Sequence, residues 1–196
     1  MSSSAVPATP APGPATRRLG ATDTVVRLVD AAVEEVRAEG YDGLTVRGVA
    51  RRAGVAPATA YTYFGSKDHL VAESFWRRLE AIAPVAVDAA APASERVAAA
   101  IEDIGELVAA EPALASASTS ALMADDPNVR MVRDRVGLFF HQRLSDALGD
   151  DASAPVLRAL DLTWMGAMVL AGTQNVPYTD VTTRVAEVAG LLLDER

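Results

Sequence analysis

Three observations predict an all-α fold. Apolar residues recur at helical spacing in almost every long segment, Gly and Pro fall between those segments, and no stretch alternates apolar with polar residues between hairpin turns. Composition agrees: half of the 196 residues are hydrophobic, aromatics are scarce, and alanine, the strongest helix former, is abundant. This is enough apolar material for one large domain, or for a small domain resting on a larger one.

Residues 1–20 open with Ser, Ala, Pro, Thr and Gly and close with Arg17 and Arg18. They are expected to form a disordered tail, with the two arginines serving solubility or touching DNA as a short arm. No basic start followed by an apolar run marks a signal peptide, and no apolar run is expected to cross a bilayer. The first helix is expected over 22–39, where Val25, Val29, Ala32, Val33 and Val36 make one apolar stripe and Gly40 supplies the stop.

Thr45 is placed to cap a second helix, 46–53, which Gly54 ends after two turns. Pro57 suits the first position of a third helix, closed by Phe64 and Gly65. Ser66 caps a fourth, with Asp68 in its first turn and Val71, Phe75, Leu79 and Ile82 along its inner stripe before Pro84. Breakers then separate five longer candidates, near 94–110, 112–124, 128–148, 154–174 and 180–194.

Charge is unevenly spread. The chain is acidic, with 18 Lys+Arg against 26 Asp+Glu, yet residues 1–80 carry a net charge of +1 and residues 81–196 a net charge of −9. Between Asp42 and Asp68 stand Arg47, Arg51, Arg52 and Lys67 and no acid at all. Such a balance excludes a basic coat over the whole surface and leaves one local patch for a polyanion. Two short helices joined by a Gly-containing turn, with a third helix behind, make the helix-turn-helix arrangement. The acids are missing from the one window where DNA phosphates are expected.

The run LTVRGVARRAGVAPATAYTYFGSKDHL, residues 44–70, resembles the DNA-binding region of TetR-family transcriptional regulators, and the resemblance extends over about residues 22–80. It implies an N-terminal helix-turn-helix DNA-binding domain, 21–66, and a C-terminal helical effector-binding and dimerisation domain, 67–196. By position it implies Thr45, Thr59, Tyr63 and Lys67 as phosphate contacts and Arg47, Pro57, Ala58 and Tyr61 facing bases, roles that their chemistry suits. Three positions depart from the family pattern: Gly48 where an acid is frequent, Ala56 where a capping Ser is common, and Ala60 where a larger aliphatic is usual.

A two-turn reading helix covers few base pairs, so two copies on a palindromic operator are expected. The last two helices, with stripes Leu157, Leu160, Trp164, Ala167, Leu170 or Ala171 and Val181, Val185, Val188, Leu191, Leu192, are the expected homodimer surface. The resemblance also implies a pocket for a small, apolar effector. Ile104, Met123, Phe139, Phe140, His141, Trp164, Met165 and Met168 are its candidate lining, and His141, Asp161, Gln174 and Asn175 its candidate polar anchors.

No Cys is present, which removes disulfides, thiolate metal sites and a Cys nucleophile. The two histidines, His69 and His141, sit in no metal or nucleophile motif, and there is no P-loop or G-x-S-x-G. No enzyme, cofactor or metal is expected, and the chain reads as a cytoplasmic repressor. The alternative is a helical ligand- or protein-binding module whose helix-turn-helix reads DNA weakly or not at all.

Overall fold

A computed structural model describes the backbone over residues 14–173 and 176–194, with side chains from Thr22 onward. Its main elements are α1 (Pro14–Gly43), α2 (Val46–Arg52), α3 (Pro57–Tyr63), α4 (Lys67–Glu80), α5 (Ala93–Ala110), α6 (Pro112–Leu122), α7 (Pro127–Leu148), α8 (Ala154–Gly172) and α9 (Val181–Ala189). Short 3-10 turns at Gly149–Asp151 and Tyr178–Asp180 and a π turn at Gly190–Asp194 complete it. No strand occurs among the described residues, in keeping with the all-α expectation.

The start of α1 departs from expectation. The helix reaches back to Pro14, inside the segment read as a tail, because proline at a first helical position gives up an N–H that has no partner there anyway. Residues 1–13, the rest of the segment expected as a tail, and the side chains of Arg17 and Arg18 lie outside the described residues. Gly40 breaks α1 at φ 69°, a left-handed conformation that glycine adopts without a Cβ penalty.

Apolar side chains gather into two cores. The first joins Leu28, Ala32 and Val36 of α1 to Val46, Val49 and Ala50 of α2, and to Ala60 and Phe64 at α3. The second joins Ile101, Ile104 and Val108 of α5, Phe140 and Leu144 of α7, Leu157, Leu160 and Trp164 of α8, and Val181 and Val185 of α9. Helix α4 belongs to both. Its Leu70, Val71 and Ala72 enter the first core, and its Phe75 and Leu79 enter the second. Ala117 and Ala121 of α6 and Val132 of α7 close the first core from the C-terminal side, so α1–α4 do not bury it alone.

Polar ties fix the same seam. Ser66 Oγ caps α4 by accepting from the His69 amide (3.0 Å) and donates to Asp126 Oδ2 (2.7 Å). Asp126 in turn caps α7 by accepting from the Asn128 amide (2.8 Å). The Ser66 hydroxyl and the Asn128 amide therefore hold the Asp126 carboxyl below its ordinary value. Two helical turns along, buried Glu73 of α4 accepts from Arg135 of α7 at 2.6 Å.

The far end is fastened by two long-range caps. Buried Arg96 of α5 donates to the Ala147 and Leu148 carbonyls at the end of α7, where a cation also meets the negative end of the helix dipole. Asp194 accepts from the Ala93 and Ser94 amides, so a residue 101 positions away starts α5. Helix α5 also lies very close to α9: a Cβ built on Gly105 would come within 2.5 Å of Thr182 Cγ2.

A free helix gains stability from Gly→Ala, by about 1 kcal/mol. At position 105 the opposite is expected, a loss of about 1–3 kcal/mol through overpacking. In a Thr182→Ala background, which clears the close atoms, Gly105→Ala should become neutral or stabilising. A double-mutant cycle of thermal or urea denaturation checks this, and additive effects would refute it.

Candidate nucleic-acid interface and ligand cavity

The candidate reading surface begins at Thr45. Its Oγ1 accepts from the Gly48 amide at 3.0 Å, so the expected cap of α2 is formed. Gly48 packs closely on α1: a Cβ there would lie 2.8 Å from Glu35 Oε1, at the flexible end of that side chain. Glu35, almost fully buried, accepts from Arg52 Nε at 2.6 Å, and Glu34 lies 3.8 Å from the same guanidinium. Arg52 is thus turned to α1 and neutralised. Arg47 and Arg51 are exposed and form no ion pair among the described residues.

The turn and the third helix follow from small residues. Gly54 at φ 65° lets the Val55 amide reach back to the Ala50 carbonyl at 2.9 Å. Ala56 gives α3 no side-chain cap, as its chemistry requires. Pro57, Ala58 and Thr59 are exposed, Tyr61 is 52% exposed, and Ala60 and Phe64 are buried against the first core. Tyr63 and Lys67 are half-buried. All eight residues named for DNA therefore reach solvent at least in part.

Sequence reasoning missed Tyr41. Lys67 Nζ donates to the Tyr41 carbonyl at 3.1 Å and sits 4.3 Å from the centre of its ring. The Tyr41 hydroxyl donates to Asp68 at 2.5 Å, and burial followed by that bond pushes the phenol above its ordinary value. The end of α1 thereby steadies the ammonium at the start of α4. The only sequence signal was an aromatic beside the Gly40 stop.

A cavity of about 600 Å³ opens between α6, α7 and α8, with Phe75 of α4 in its wall. Met123, Phe140, His141, Trp164, Met165 and Met168 line it. Ile104 does not: it is fully enclosed in the second core. Phe139 does not either. One residue along a helix is a rotation of about 100°, so Phe140 faces the cavity while Phe139 sits edge-on to Trp76 (6.0 Å) beneath Arg143 (5.0 Å). Phe140 and Trp164 stack with ring centres 3.9 Å apart.

Among the polar candidates, His141 Nδ1 lies 2.9 Å from Asp161 Oδ2 across α7 and α8, and both line the cavity. Gln174 and Asn175 lie outside the described residues. Phe75, which reads as part of the inner stripe of α4, and the hydroxyl residues Ser118 and Thr119 of α6 also line the cavity and were not foreseen.

The expected dimer stripes are placed differently. Leu157, Leu160, Trp164, Ala167, Ala171, Val181 and Val185 are all buried within the protomer, since α9 packs between α5 and α8 and α8 packs on α6 and α7. The apolar residues left to solvent on α8 are Leu162, Met165, Val169 and Leu170, with Leu191 beyond α9. Helix α8 is also long and apolar enough to cross a membrane by length and composition alone, contrary to the sequence expectation, although one face of it is packed in the core.

Comparison with known proteins bears on this geometry. Residues 28–74 match the family model described as bacterial regulatory proteins, tetR family. The chain is 40% identical over 172 residues to the HTH-type transcriptional regulator Rv0767c of Mycobacterium tuberculosis, covering 87% of this chain and 80% of that one. It is 29% identical over 174 residues to the HTH-type transcriptional repressor KstR of Rhodococcus jostii, covering 86% and 82%. Among solved structures, a TetR transcriptional regulator from Rhodococcus sp. RHA1 aligns with a TM-score of 0.70 at 23% identity, over 87% of this chain and 96% of that one. The regulator FadR from Bacillus subtilis, in complex with stearoyl-CoA, aligns with a TM-score of 0.57 at 20% identity, over 84% and 96%.

The seat of α3 carries a pH dependence. Phe64 meets the edge of His69 at 5.3 Å, and His69 Nδ1 is buried without a hydrogen-bond partner. Burial holds the imidazole below its ordinary value near 6.5; Glu73 and Asp126 oppose that shift and Arg135 reinforces it. Just below that pH the unfolded chain binds a proton that the folded chain does not, so stability falls as pH drops and levels off beneath the folded pKa. Urea midpoints should therefore decline as pH falls through about 6.5, and His69→Leu should flatten the decline. An equal slope in the variant would exclude His69 as its source.

Proposed function

Since the chain belongs to the TetR family of bacterial regulatory proteins, we propose that this helix-turn-helix regulator is a homodimeric repressor, released from a palindromic operator when a small, largely apolar effector fills the cavity between α6, α7 and α8. One observation carries the reading. Helix α4 begins where the reading helix ends and supplies Phe75 to the cavity wall, so whatever displaces that wall acts on the reader.

On DNA, Thr45, Thr59, Tyr63 and Lys67 contact phosphates with hydroxyls and an ammonium, while Arg47, Pro57, Ala58 and Tyr61 face base edges. Exposed Arg47 and Arg51 supply positive charge, and Arg52 is committed to α1. The exposed apolar residues of α8, Leu162, Met165, Val169 and Leu170, are the part of the last two helices available to a second copy. Two copies set their reading helices one turn of DNA apart, about 34–36 Å, or a multiple of that.

In this scheme residues 21–66 form the reading unit, 67–196 the effector and dimer unit, and α4 the lever between them. A ligand shifts the equilibrium only to the extent that it binds one arrangement better than the other. Occupation of the cavity moves α7, and the Ser66–Asp126 and Glu73–Arg135 bonds carry that movement into α4. FadR, which shares the fold, is solved in complex with stearoyl-CoA, a ligand with a long apolar chain, and this likeness supports an apolar effector. The reading gives the protein a cytoplasmic place and no enzymatic role.

Selection of DNA fragments by the purified protein should enrich one palindrome, with affinity falling steeply as salt rises. Arg47→Ala should weaken that site by about 1–3 kcal/mol and relax base preference, whereas Lys67→Ala should weaken all sequences alike and flatten the salt slope. Salt-insensitive binding without enrichment would favour a module that recognises a protein or ligand instead of DNA.

A further inference from the structure

The wall that α7 gives to the cavity is bare at its centre. Gly137 lies halfway along the helix, with Arg133 and Asp134 one turn before it, Phe140 and His141 one turn after, and Val136 and Leu138 on either side. All seven line the cavity. At about 100° per residue they span one arc of the helix, with position 137 at its middle. The residue that faces the cavity most squarely is the one without a side chain.

A glycine in a helix interior is less favourable than an alanine, and several other glycines of the chain answer a local demand. Gly40, Gly54 and Gly149 take a positive φ, and a Cβ on Gly105 or Gly172 would crowd Thr182 or Thr119. Gly137 has neither reason. Its φ is not positive, and a Cβ on it would meet no atom within 4 Å. The turns that flank it are seven residues apart, about 10 Å along the axis, so a saddle of exposed backbone lies between their side chains. The fold leaves that volume to the cavity.

We propose that Gly137 is the specificity-determining position of the cavity: the apolar body of the effector rests on the α7 backbone there, and a side chain at 137 takes its place. This rests on the reading of the cavity as the effector site, and it gives that reading a point of force. A molecule pressed against Met165 or Met168 is accommodated by a change of rotamer, whereas one seated on backbone displaces the helix itself. Helix α7 and its cap carry the Asp126 and Arg135 bonds to α4, so force applied at 137 reaches α4 through both.

The chain has two tryptophans, and Trp164 forms part of the cavity wall. N-phenyl-1-naphthylamine, an uncharged apolar dye that brightens on leaving water, is titrated into the full-length wild type, Gly137→Ala and Gly137→Leu. Binding is followed by energy transfer from tryptophan, and urea midpoints are measured on the same proteins. Ala and Leu are better helix formers than Gly, so both replacements should raise the midpoint. Dye binding should move the opposite way, about threefold weaker with Ala and about tenfold or more weaker with Leu, because the added atoms occupy the volume the ligand uses.

A lowered midpoint in Gly137→Ala makes 137 a packing position and overturns the assignment. A raised midpoint in Gly137→Leu with dye binding unchanged overturns it as well, and in both cases the cavity reading stands. A wild-type protein without saturable dye binding overturns the cavity reading and the role of Gly137 together. Stability and binding moving in opposite directions cannot come from a variant that fails to fold.

Discussion

One helix divided between two cores is the constraint on which the rest of the molecule depends. Leu70, Val71 and Ala72 of α4 are sealed against α1 and the reading helices, and Phe75 and Leu79, further along the same helix, are sealed against α5 and α7. A buried Leu or Phe contributes about 1.5–3 kcal/mol, so α4 cannot leave either core without a loss comparable to a large share of the stability of a domain. It moves with both or holds both. The Ser66–Asp126 and Glu73–Arg135 bonds add direction to that union, since they fasten α4 to α7 at its first turn and again at its middle.

A similar division of labour appears on the reading surface. On the surface proposed to face DNA, an overall acidic chain keeps some cations free and satisfies others internally. Arg52 is satisfied by Glu35 and Glu34, Lys67 is steadied by Tyr41, and Arg47 and Arg51 are left to solvent. Steadying a long side chain before it meets its target lowers the entropy lost on contact.

The fold was legible because its signals are local. Caps at Thr45 and Ser66, the glycines at 40 and 54 and the proline at 57 each act within a few residues, and each helix they delimit is present. What depends on distant partners was not legible. Periodicity names the apolar face of α8 but not what covers it, so Leu157, Leu160 and Trp164 read as a partner surface although they pack within the protomer. Likewise Phe139 and Phe140 are alike in sequence, and only the packing of α7 sends one to the cavity and the other to Trp76. Caps supplied from afar, such as Asp194 on α5, leave no trace near the helix they start.

The space over Gly48 bears on how this surface can evolve. An acid is frequent at that position in the family the chain resembles, where it completes the cap of α2. Here the volume is held by Glu35, already committed to Arg52. A Cβ at position 48 would press on that carboxylate, so any side chain added there is coupled to the Glu35–Arg52 pair and, through it, to the packing of α2 on α1.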